Sequence, residues 1–231
     1  MMNQKQGIKF IFNPTLMGLK IKGETSLFPV GKIYCVGKNY LAHAEEMGSV
    51  IERDEPFFFS KPPQALTHFK KIPYPPKTNN LHHEVELVVC LSKGGSNISQ
   101  EEAKEMIFGY AVGVDLTRRD LQKQFKDAGE PWDLSKGFDD SAPISEIVKN
   151  TSLLADAKIS LKVNDEQRQS SNISEMIWGV SALISHLSQY ITLKPGDIIF
   201  TGTPAGVGPL NKNDVVFAEI EGVGHLEFTM V

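Results

Sequence analysis

His83-Glu84-Val85-Glu86-Leu87-Val88-Val89 sets two carboxylates two residues apart in a run that otherwise has the composition of a buried strand. Side chains alternate faces along a strand, so Glu84 and Glu86 point one way while Val85, Leu87 and Val89 point the other. Two like charges on a half-buried surface repel each other and lose hydration, and a cation held between them relieves both penalties. Carboxylate oxygens are hard ligands that favour Mg²⁺, Mn²⁺ or Ca²⁺ over zinc. The competing reading of the pair alone is a solvent-facing edge strand with ordinary surface glutamates.

Four further segments could join that chemistry. Tyr110-Ala111-Val112-Gly113-Val114-Asp115 is a short apolar run ending on an acid, placed either to complete an oxygen-ligand set or simply to cap a helix. In Gly37-Lys38-Asn39-Tyr40-Leu41-Ala42-His43-Ala44-Glu45-Glu46, a helical fold would make His43 and Glu46 neighbours on one face. A carboxylate against imidazole fixes its tautomer and raises its basicity, as a general base requires; an exposed helix with a surface histidine has the same spacing. Lys136, between Trp132 and Phe138, could hold an anion or a developing enolate, or be a solvated loop lysine. Thr201-Gly202-Thr203-Pro204-Ala205-Gly206-Val207-Gly208 matches neither a P-loop nor a dinucleotide fingerprint. It reads as a tight loop whose amides and Thr203 hydroxyl could meet a carboxylate, or as a simple turn.

Strands must position most of these groups. Runs with strand composition cover Ile33 to Val36, Phe57 to Ser60, Leu87 to Leu91, Ile159 to Val163, Asp197 to Thr201, Val215 to Ile220 and His225 to Val231. Turns are expected at Asn164-Asp165 and Gly222-Val223-Gly224. Ser99-Gln100-Glu101-Glu102 is a capping-box pattern predicting a helix to about Phe108. A second helix is expected from about Thr117 to Ala128, and a third with Met176, Val180, Leu183, Ile184 and Leu187 on one face. Gln64 to Asn80 is expected to run as surface loop. Strands, two helices, strands, one helix, strands is not βαβ alternation, so the fold class is α+β, mainly β, rather than a doubly wound sheet.

The 231 residues can bury a large core as a single domain. A formal charge of −4 gives no basic footprint for nucleic acid or an anionic membrane, and no apolar run is long enough to span a bilayer. Cys35 and Cys90 lie in apolar runs, so a reduced, cytoplasmic protein is the default expectation.

Together, Val36-Gly37-Lys38-Asn39-Tyr40 with His43 and Glu46, His83 to Leu87, Asp115 to Asp120, Lys136 to Asp139 and Thr201 to Gly208 resemble the fumarylacetoacetate hydrolase family, in family order over about residues 32 to 231. The closest likeness is to its small single-domain acylpyruvases and oxaloacetate decarboxylases. The resemblance implies a mixed β-sandwich roll with residues 1–31 packed on it as an extension, and a homodimer. It implies Mg²⁺ or Mn²⁺ on Glu84, Glu86 and Asp115, a His43–Glu46 dyad, and Lys136 beside the substrate. Arg119, Gln122 and Thr203 fall where the family contacts the oxo-acid end. The separate N-terminal domain of the larger fumarylacetoacetases has no room in this length, and the tandem duplication of some isomerase-decarboxylases is absent.

The implied substrate is a small 2-oxo acid. Breaking the bond two carbons from its oxo group leaves a pyruvate enolate: by water attack in an acylpyruvate, giving pyruvate and a carboxylate, or by loss of CO₂ from oxaloacetate. Keto-enol tautomerisation of oxaloacetate, or isomerisation of a 2-hydroxy-dienoate, uses the same kind of intermediate. A carboxylate-metal phosphodiesterase would want further ligands and a basic phosphate clamp, neither of which is evident. A non-catalytic oxo-acid-binding domain need not keep His43, Glu46 and Lys136. Gly37 and Gly48 bracket the dyad, and the polar stretch Ser49 to Glu55 is expected to form a mobile lid.

Overall fold

A computed structural model describes residues 11, 16–46, 48, 55–150 and 152–231. Two sheets dominate. In the first, six strands lie in the spatial order Val148–Lys149, Ile107–Val114, Val85–Leu91, Ile198–Phe200, Ile33–Gly37 and Phe57–Lys61. All its pairings are antiparallel except that of Ile198–Phe200 with Ile33–Gly37. The second runs Glu166–Asn172, Lys158–Val163, Val215–Ile220, Gly224–Met230 and Lys71–Ile72. A three-stranded ribbon of Thr117–Arg118, Leu81–His83 and Gly208–Leu210 joins the segments that carry the acids to the glycine-rich loop. The fold is mainly β, as the sequence leads one to expect.

Alternation sorts each strand between two cores. Val85, Leu87 and Val89 join Ile159, Leu161, Val216, Ala218 and Phe228 in the larger one, against Leu183, Ile184 and Leu187 of the Val180–Tyr190 helix. Val88 and Cys90 face the other way, onto Ile33, Cys35, Ala111, Ile198 and Phe200. The central strand is therefore buried on both faces rather than half-buried, which is what makes Glu86 on it costly. Glu84 lies just before that strand, in the junction after Leu81–His83. Both cysteines are free and buried.

Several expectations are corrected. The Ser99 capping box forms, with Ser99 Oγ accepting from the Glu102 amide at 3.2 Å and Glu102 accepting from the Ser99 amide at 2.9 Å. The helix nevertheless ends after Gln100–Ala103 and one 3₁₀ turn, because Ile107 onward is claimed by the sheet through pairing with Val85–Leu91. Thr117 and Arg118 pair as a short strand with His82 and Leu81, so the second helix is Arg119–Ala128, ended by Gly129 at φ +69°. Met176 precedes the third helix and bridges to Tyr40. The proline-rich stretch after Pro62 holds short strands at Leu66–Thr67 and Lys71–Ile72 and is not all loop. Glu166–Asn172, polar throughout, is a strand that no apolar alternation announced. Of the expected lid, Ser49 to Asp54 lie outside the described residues. Among the described residues no helix is long and apolar enough to cross a membrane.

Candidate active site

Glu84, Glu86 and Asp115 converge: one carboxylate oxygen from each lies within 4.8 Å of the other two, and all three residues are buried. Adjacent strands bring them together. Glu86 stands opposite Gly113 in the ladder, and the Asp115 amide donates to the Glu84 carbonyl at 2.8 Å. Asp115 is thus no helix cap. Its side chain is enclosed with two lysines.

The Lys136 ammonium lies 2.8 Å from Glu84 Oε2, 2.7 Å from Asp115 Oδ2 and 2.6 Å from Thr117 Oγ1. Lys61, which the sequence reading missed, lies 2.8 Å from Asp115 Oδ1, and its ammonium shares its three protons among that carboxylate, the Leu116, Lys136 and Ser141 carbonyls and Ser141 Oγ, all within hydrogen-bond distance. The available signal was weak: a lysine ending an aromatic strand, on the same face as Phe57 and Phe59. Arg119 pairs with Glu84 Oε1 and donates to the Gln122 side-chain carbonyl, which leaves the Gln122 NH₂ to donate elsewhere.

These neighbours divide the acids. Burial pushes the Glu84 carboxyl up, but Lys136 and Arg119 outweigh it and hold it well below the carboxylate range. Glu86 goes the other way: burial, then the charges of Asp115 and Glu84, push it well above that range. Its direct support is the Gly202 amide at 2.7 Å, aimed by a glycine at φ +95° whose Cβ would collide with Asn39. Among the described residues no lysine or arginine nitrogen lies within 4 Å of Glu86. A buried acid without a cation, beside two others offering hard oxygens, fits a divalent metal.

Lys61 has a consequence for stability. Lys61→Met leaves Asp115 with Lys136 as its remaining cation and takes a buried ammonium from Asp115 Oδ1 and four further oxygens, so it should cost about 3–5 kcal/mol in urea denaturation. A loss under about 1 kcal/mol would show that the remaining groups compensate.

The Leu41–Glu46 segment is helical, and His43 Nδ1 lies 3.3 Å from Glu46 Oε2. The Glu46 carboxylate also accepts from the Gly206 amide at 3.2 Å. The amides of the glycine-rich loop do meet carboxylates, but these are the protein's own. Burial pushes the His43 pKa down, against the pull of Glu84 and Glu46, so the imidazole is neutral near pH 7.

His43, Glu84, Glu86, Arg119, Lys136 and Thr203 line one cavity of about 70 Å³, with Gln122 also on its wall. Phe59, Lys126, Trp132 and Lys136 also line a second, wider cleft of about 430 Å³, whose walls include Phe57. Asp115 lies behind the lining and Glu46 behind His43, so all nine residues singled out in the sequence meet in one place. Besides Lys61, the sequence reading missed Thr117 and Gln169.

A family profile described as fumarylacetoacetate hydrolase, C-terminal, matches residues 32–231. The chain belongs to the fumarylacetoacetate hydrolase family. It is 40% identical over 188 residues to the fumarylpyruvate hydrolase of a Ralstonia species, covering 80% of this chain and 98% of that one. It is also 40% identical over 199 residues to an oxaloacetate tautomerase of Escherichia coli, covering 84% and 90%. The crystal structure of fumarylpyruvate hydrolase from Pseudomonas aeruginosa in complex with Mn²⁺ and pyruvate superposes with a TM-score of 0.94 at 43% identity, covering 96% of this chain and 99% of that one. The fumarylacetoacetate hydrolase match contains every residue of the cluster, from His43 to Thr203.

Proposed function

We propose that this chain is a divalent-metal-dependent enzyme that cleaves 2,4-dioxo acids, hydrolysing an acylpyruvate to pyruvate and a carboxylate, with oxaloacetate decarboxylation open to the same site. The observation that carries this is the buried Glu84–Glu86–Asp115 cluster, with no lysine or arginine of the described residues paired to Glu86, beside one cavity with a neutral His43. Supporting it are the fumarylpyruvate hydrolase relatives, one of them complexed with Mn²⁺ and pyruvate.

Glu84, Glu86 and Asp115 would hold Mg²⁺ or Mn²⁺, which would supply Lewis-acid stabilisation of a developing enolate. Arg119, the Gln122 NH₂ and the Thr203 hydroxyl bind the oxo-acid end, with Lys136 beside it holding Glu84 and Asp115. With Nδ1 turned to Glu46, His43 has Nε2 left to take a proton from water, which attacks the distal carbonyl. The distal acyl group extends into the cleft beside Phe59 and Trp132. We further propose that the chain is one catalytic domain working as a homodimer in the cytoplasm; of the expected 1–31 extension, residues 1–10 and 12–15 lie outside the described residues. Free, buried Cys35 and Cys90 accord with a reducing compartment.

The E. coli relative favours a second reading, oxaloacetate keto-enol tautomerisation, in which His43 moves a proton at the carbon beside the oxo group and no water is consumed. A panel of acylpyruvates and oxaloacetate with Mg²⁺ separates the two: pyruvate release marks cleavage, whereas loss of the enol absorbance without pyruvate marks tautomerisation.

The pH profile follows from His43. Its charged form is penalised, so it stays deprotonated to a lower pH than an ordinary histidine of pKa about 6.5. The acid limb of kcat/KM for hydrolysis should therefore fall below pH 6.5. A limb above that value would mean that another group is the base.

A further inference from the structure

Gln169 is wholly buried on a strand whose other residues are polar and mostly exposed, and no step above uses it. Its side chain makes four hydrogen bonds. Oε1 lies 3.1 Å from the Val85 amide and 3.0 Å from His83 Nδ1; Nε2 lies 2.8 Å from the Pro204 carbonyl and 2.7 Å from Thr203 Oγ1. A backbone N–H only donates and a carbonyl only accepts, so Val85 and Pro204 together fix which end of the amide is which. Two polarities follow. His83 carries its proton on Nδ1, and Thr203 Oγ1 receives a hydrogen bond from Gln169.

A hydroxyl whose lone pair is occupied in this way turns its own proton elsewhere. Among the described residues no acceptor takes the Thr203 proton, and the side chain lines the cavity beside Glu84, Glu86 and Arg119. The loop is pressed against the same strand: a Cβ on Gly206, at φ +95°, would meet the Arg168 carbonyl oxygen at 2.0 Å. The Glu166–Asn172 strand thus sets both the position of the Thr203 loop and the direction of its hydroxyl.

We propose that Gln169 is a positioning residue that holds Thr203 as a hydrogen-bond donor to the carboxylate of the oxo acid. This rests on the oxo-acid reading of the site. Gln169→Glu keeps the shape but offers at most one proton, which the Pro204 carbonyl takes, so Thr203 faces an oxygen and must turn its own proton toward it. The cavity then meets a carboxylate with a lone pair instead of a donor.

The probe is oxalate, titrated calorimetrically into wild type, Q169E, T203V and the double variant, each loaded with Mn²⁺. Losing a hydrogen bond to a charged group should weaken oxalate at least about tenfold in Q169E and in T203V. The double variant should lose no more than T203V alone, because Gln169 acts through that hydroxyl. Mn²⁺ affinity of Q169E should stay within about threefold of wild type, and its KM should rise more than its kcat falls. Losses that multiply in the double variant, or wild-type oxalate affinity in Q169E, would overturn the inference. Should Q169E not fold, Gln169→Met removes the donor without adding an acceptor and must show the same non-additivity. Failure of wild type itself to bind oxalate with Mn²⁺ would instead overturn the oxo-acid reading and the inference with it.

Discussion

EDTA should abolish pyruvate release from an acylpyruvate, and Mg²⁺ or Mn²⁺ should restore it. The acids are arranged so that no protein cation serves all three. Lys136 and Arg119 hold Glu84, Lys61 and Lys136 hold Asp115, and Glu86 is pushed toward its neutral form by burial and by its two acidic neighbours. Formally, three carboxylates face three cations, so an added divalent ion turns the cluster positive and suits it to a carboxylate-bearing substrate. Glu86→Gln removes one ligand charge with little change of shape. Glu84→Ala removes another and also leaves Arg119 without its carboxylate and Lys136 with Asp115 alone. Each should lower turnover by at least about 10²–10³-fold, the effect of deleting one stabiliser of a developing oxyanion. Mn²⁺ titration followed by electron paramagnetic resonance should register the weaker binding directly. Full turnover in metal-free buffer would refute the assignment.

His43→Ala should separate hydrolysis from decarboxylation. Acylpyruvate hydrolysis needs an activated water, and general-base catalysis contributes about 10²–10⁴-fold. Loss of CO₂ from oxaloacetate needs no water, so the same substitution should leave that reaction far less affected. Glu46→Gln should produce a smaller version of this pattern, since the amide still accepts from the Gly206 amide but no longer stabilises a charged imidazole. Equal losses in both reactions would mean that the dyad orients substrate instead of activating water.

Local sequence determined a good deal of this. Glu84 and Glu86 in an apolar run, Asp115 at a strand end and His43 three residues before Glu46 each carry their chemistry in residue type and spacing, and five short segments in order identify the family. The main strands were legible for the same reason: Val, Ile and Phe alternate where both faces are packed. Tertiary structure decided what no window of sequence contains. Whether Ser99 to Phe108 stays helical depended on Ile107 finding a partner strand, a non-local gain larger than local propensity. Glu166–Asn172 is a strand because Lys158–Val163 lies beside it, not because of its own composition. Lys61 and Gln169 belong to the site through contacts spanning 75 residues to Lys136 and 86 residues to His83. Protonation was decided at the same level: two glutamates of one motif are driven in opposite directions, because Lys136 and Arg119 pair with one of them, while burial and the charges of Asp115 and Glu84 outweigh the Gly202 amide at the other.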